Sequence, residues 1–85
     1  MIVGIVSGAV HSGQHSVQQE EQWLSQFNGT IKYIKNCQVK FGNKMETVFL
    51  CEVPDDFNAL IVNEATCIDG WVFKLVNNRL EKFNN

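Results

Sequence analysis

Two histidines and three cysteines are the side chains of this 85-residue chain best suited to nucleophilic, acid–base or metal chemistry. His11 and His15 stand four apart in a polar segment. As metal ligands they would need further Cys, Asp or Glu partners. Neither an H-E-x-x-H nor a CxxC pattern supplies them, so no metal site is expected. Cys37 and Cys51 fall in alternating apolar stretches, where a thiol serves as a small hydrophobe. Cys67 lies beside an Asp-Gly turn and is the most accessible of the three. An enzymatic reading would pair Cys67 with a histidine as nucleophile and base. No cationic residue marks any of the thiols as activated, which makes this the weakest of three functional readings. An odd number of cysteines argues against a disulfide framework and for reduced thiols in the cytoplasm, with a Cys37–Cys51 bridge as the alternative.

The segment 7–16 is the second place where chemistry would reside. A buried strand, a glycine-containing loop and a helix start form the generic layout of a phosphate cradle. Ser7, Gly8, His11, Ser12, Gly13 and His15 are its candidate ligand-binding residues. They would serve a small-molecule, nucleotide or anion binder, whose site would lie at a subunit interface. The spacing of Gly8 and Gly13 matches the G-x-x-x-x-G skeleton of nucleotide-binding loops, but Gln14 and His15 stand where Lys and Ser/Thr are required. Nucleotide hydrolysis is therefore not expected, and no cofactor is indicated.

The elements that must position these residues can be read from periodicity. Residues 1–6, MIVGIV, are nearly all apolar and suit a central strand covered on both faces. Ser16 followed by Gln19 has the capping-box spacing, and Val17, Leu24 and Phe27 form an apolar stripe beside Trp23. Asn28-Gly29 supplies a stop, which predicts one helix over about 16–28. Residues 30–41 alternate, with Ile31, Tyr33, Cys37, Val39 and Phe41 on one face and Lys35 as the exception. A three-residue loop at 42–44 would pair Cys37 with Phe49 and Lys40 with Glu46, keeping like faces together. After Pro54 the run NALIVNEATCI leads to Asp69-Gly70, a hairpin signal, and Asn77-Asn78 supplies another. The second turn sets Lys74 opposite Glu81 and Leu75 opposite Leu80. The expected fold is a single α+β domain over 1–85. It has a mainly antiparallel five- or six-stranded sheet, β-α-β-β followed by a β-meander, with the one helix on one face.

Composition narrows the function classes. A hydrophobic share of 45% and nine aromatic residues exclude a disordered tail. A net charge of −2 and a single arginine make nucleic acid an improbable partner. No apolar run reaches the roughly 20 residues of a membrane span, so no membrane association is expected. Ile34, Val48 and Leu50 share the outward face of the first hairpin in the chosen register, and Trp71 and Phe73 add apolar surface to the last. One short helix covers one face of a sheet, so these five residues are the candidate partner-binding surface, facing a second copy in a homodimer or another protein. The favoured reading is a small cytosolic interaction protein, an inhibitor or adaptor that works without catalysis. Nine asparagines in a short chain are in keeping with a viral accessory protein, of a phage or mobile element.

Overall fold

The computed structural model describes residues 1–83. The chain forms one five-stranded antiparallel sheet in the order β2 (Lys32–Phe41), β3 (Lys44–Glu52), β1 (Ile2–Ser7), β4 (Gly70–Val76), β5 (Arg79–Lys82), with helical segments between strands. β1 is the central strand expected of its apolar run, and only Ile2 in it is exposed. β2 and β3 form a hairpin on one side of it, and β4 and β5 form one on the other. The α+β class and the antiparallel sheet are as predicted.

The helix expected after the 7–16 segment is α2 (Val17–Leu24). Its capping box is complete: Gln19 N–H donates to Ser16 Oγ at 3.1 Å, and Ser16 N–H donates to the Gln19 side chain at 2.7 Å. It stops at Leu24 rather than at residue 28, with Ser25 as C-cap. Two further helical segments were not anticipated. Part of the 7–16 loop winds into the single turn α1 (Gly8–His11), which Ser7 caps by accepting from Val10 N–H. The apolar run before Asp69-Gly70 is α3 (Ala59–Thr66), not a strand. Asn58 caps it by accepting from Ile61 N–H at 2.9 Å, and Val62 and Thr66, four apart, turn into the core. α3 ends on Cys67 in the left-handed conformation at φ 58°. The expected Asp69-Gly70 hairpin is therefore the entry from a helix into β4.

The helices cover one face of the sheet. Val3, Ile5, Phe49, Cys51 and Val72 from the strands meet Leu24, Val62 and Ile68 in the main core. Burial pushes the Cys51 thiol up from its ordinary value of 9.0 to about 12. At the border of this face Glu21 of α2 accepts from the Tyr33 hydroxyl and from the Asn36 amide, each at 2.6 Å. Burial, and then the bond to Glu21, hold the Tyr33 hydroxyl well above its ordinary range.

The opposite face closes on itself, for two reasons that correct the expected register. The β2–β3 loop has two residues, Gly42 and Asn43, not three, so Phe41 pairs with Lys44, Val39 with Glu46 and Cys37 with Val48. Gly42 takes φ +62°, as the first central position of a type II′ turn requires. A bulge then interrupts the ladder, which passes from Tyr33–Cys51 directly to Lys35–Leu50 and leaves Ile34 as the extra residue. Tyr33 stays on the helix side, while Cys37, Val39 and Phe41 move to the other. There Cys37 and Val39 pack with Val6, Val48, Leu50, Phe73 and Leu80 in a second, smaller core, and the exposed Phe41 meets it through the Phe73 ring. The Lys40–Glu46 pairing expected of the longer loop is absent, since Lys40 lies opposite Met45. The final turn is as read: Asn77 and Asn78 adopt φ 52° and 62°, and Lys74–Glu81 and Leu75–Leu80 pair.

Candidate functional site

Two of the concave sites beside the α1 turn divide the residues singled out in 7–16. The larger is a cleft of about 600 Å³ between α1, the first half of α2 and the turn at 67–69. Ser7, Gly8, Ser12 and His15 line it, and Cys67 stands on its far wall. His11 faces away to the second site, and Gly13 is an exposed turn residue at φ +80° with no neighbour within 4 Å of its Cβ position. Gly8 N–H is already bonded to Asp69 O at 2.9 Å, and no Lys or Arg lines the cleft.

The cleft holds an acid–base pair that the sequence reading missed. His15 Nδ1 lies 2.7 Å from Glu20 Oε1, and the Glu20 side chain is only 6% exposed. Glu20 is buried because Val17, Glu20 and Leu24 follow at i, i+3 and i+7, the inward stripe of α2. That spacing was legible in the sequence. A carboxylate that fixes one nitrogen of a histidine leaves the other for acid or base work. Cys67, however, donates its thiol proton to Glu64 O at 3.7 Å and makes no hydrogen bond to His15. The structure brings the nucleophile and the histidine of the enzymatic reading to one cleft without joining them. Among the described residues no group of three or more His, Cys, Asp or Glu is placed to hold a metal ion.

The second site is an apolar pocket of about 230 Å³ at the end of the self-closed face. Val6 is its floor, Phe41, Trp71 and Phe73 are its walls, and His11 and Glu46 form its rim. The rings of Phe41 and Phe73 meet with centroids 5.6 Å apart, and the His11 ring stands edge-on to Trp71 at 5.5 Å. His11 Nδ1 lies 2.8 Å from Glu46 Oε1, which explains why an acid can occupy an otherwise apolar face. Of the five partner-binding candidates, Trp71 and Phe73 belong to this pocket, and Trp71 is 53% exposed. Ile34 is exposed at the bulge in β2 and does not line the pocket. Val48 and Leu50 are corrected: they point to the outward face as expected, but they are buried in the second core.

No family model matches the chain, and neither a curated protein nor a solved structure gives a match to it. Its chemistry has to be argued from its own geometry. Among the described residues no helix is long and apolar enough to cross a membrane.

Proposed function

We propose that the protein is a cytosolic interaction module, an inhibitor or adaptor, that binds a protein partner without catalysis by taking one of its apolar side chains into the Phe41–Trp71–Phe73 pocket. The pocket itself carries this reading. Three aromatic walls over an aliphatic floor, with a polar rim at His11 and Glu46, have the make-up of an interface hot spot. At about 230 Å³ the pocket is smaller than the ~300–1,000 Å³ of small-molecule sites and suits a single side chain. Trp71 is the anchor: half of it is open to solvent, while its ring is held in a T-shaped contact with His11. Three free cysteines and no disulfide fit a reducing compartment.

The test is selection of peptides from a random library on the wild-type protein, with binding then measured to Trp71→Ala. Peptides that share one aromatic or aliphatic anchor and lose at least tenfold in affinity on the variant are expected, the scale of a hot-spot truncation. Peptides that bind the variant as well as the wild type would overturn the reading. Sedimentation of the chain alone checks the other occupant: a dimer dispersed by Trp71→Ala would make the partner a second copy, as in the viral accessory homodimer reading.

A further inference from the structure

The cleft between α1 and α2 carries one more acid than the pocket, whose single Glu46 is matched by His11. Two acids, Glu20 and Asp69, line it, and no Lys or Arg does. Only His15 there can carry positive charge, and its Nδ1 is engaged with Glu20. The Glu20 carboxylate is the informative group. It is 94% buried, yet only Oε1 is hydrogen-bonded, and Oε2 has no partner among the described residues. Asn63 Oδ1 is the one fully enclosed side-chain atom left unpaired among them, so Oε2 retains open surface. Because Glu20 lines the cleft, that surface faces into it. That oxygen takes its hydrogen bonds from whatever donor occupies the cleft, water or ligand.

The other lining groups suit the same donor. Ser7, 1% exposed, spends one lone pair on Val10 N–H and keeps the second. Trp23 is fixed by its Nε1–H bond to Thr66 O at 2.7 Å and by edge-on contact with Phe27, while 42% of it remains exposed. Its ring is a rigid platform for cation–π contact. Since no three acidic, thiol or imidazole ligands converge on one point, a metal ion is a poor match, and a molecule that extends between Glu20 and Asp69 is a better one. A cleft of about 600 Å³ lies within the ~300–1,000 Å³ range of small-ligand sites.

We propose that this cleft binds a small organic cation of the ammonium or guanidinium class, its charged groups reaching Glu20 and Asp69 and its stem lying on Trp23. Agmatine and putrescine are the probes, followed by the fluorescence of Trp23 in a Trp71→Phe background. A saturable change is expected, with affinity at least tenfold weaker in Asp69→Asn, the scale of one charged hydrogen bond. Glu20→Gln should weaken binding similarly. Because Glu20 is buried, its substitution is also expected to lower stability, so the exposed Asp69 position decides the matter. Bound agmatine should also slow maleimide labelling of Cys67, on the cleft wall, and leave Cys37 unaffected. No saturable response to either amine would overturn the proposal. So would equal binding by Asp69→Asn, or a response of Trp23 to ATP or sulfate in place of the amines.

Discussion

Phe41 and Phe73 touch, with ring centroids 5.6 Å apart, although β3 and β1 lie between their own strands. On a flat sheet, side chains three strand spacings apart would stand roughly 14 Å from one another. The contact therefore requires the two hairpins to curl toward each other over β1. Leu80 of β5 leans in from the same direction, its Cδ2 only 2.9 Å from where a Cβ on Gly4 would be. This curl buries Val48 and Leu50 with no helix above them, and it shapes the pocket beside Trp71.

The ring contact should be measurable as a coupling. Phe73→Ala is expected to cost about 2–3 kcal/mol and the more exposed Phe41→Ala about 1 kcal/mol, from lost apolar burial. In a double-mutant cycle by urea unfolding, the pair should show a coupling of roughly 0.5–1.5 kcal/mol. Strict additivity would mean that the hairpins do not close over β1.

Gly4 is the space the closure needs. A Cβ there would meet Val48 Cγ1 at 2.7 Å and Leu80 Cδ2 at 2.9 Å. Gly4→Ala should lower stability by about 1–3 kcal/mol, as overpacking does, although alanine is the better strand residue at an open site. An unchanged urea midpoint would show that the second core yields without cost.

The thiols should separate by burial. Cys67 is exposed, Cys37 half-buried and Cys51 buried, so labelling under native conditions should follow that order. Cys51 also predicts a pH dependence. Its folded pKa is about 12 against an ordinary 9.0, so the folded state holds the proton more tightly. That contribution is complete below pH 9 and is lost as pH rises toward 12. Tyr33, also raised from its ordinary 10.0, acts in the same direction. Urea midpoints should fall across this window, and less steeply in Cys51→Ala. Parallel slopes for the two proteins would contradict the assignment.

Cys67 sits at φ 58° as the C-cap of α3, a conformation that costs a side-chain-bearing residue roughly 1 kcal/mol relative to glycine. Cys67→Gly should therefore raise the thermal midpoint. A fall would mean that the weak thiol bond to Glu64 O, or packing on the cleft wall, outweighs the backbone strain.

Much of the fold is written in short-range signals. The apolar run of β1, the Ser16–Gln19 box and the Asn77-Asn78 turn each depend on a few neighbouring residues, and each appears as read. Two further signals were present but passed over. Asn58 with Val62 and Thr66 marks α3, yet a short apolar run suits strand and helix alike until a cap is weighed. Lys35, the exception in the alternation of β2, stands next to the bulge that ends one register and begins another.

The sites follow the opposite logic. Which face receives Cys37, Val39 and Phe41 depends on one extra residue at Ile34 and a two-residue turn, since a shift of one position exchanges the faces of a strand. Whether that face is open or closed depends on Phe41 meeting Phe73 from 32 residues away, and on Leu80 crossing Gly4. His11 and His15, adjacent in the sequence pattern, part company because α1 turns one toward Glu46 and leaves the other beside Glu20. Composition and periodicity determined that this chain would make an antiparallel sheet with too much apolar surface for one helix. Only the tertiary structure decided that most of that surface closes on itself and leaves one aromatic pocket and one acidic cleft. The reason is that curl, register and burial arise from contacts between residues that local spacing never brings together.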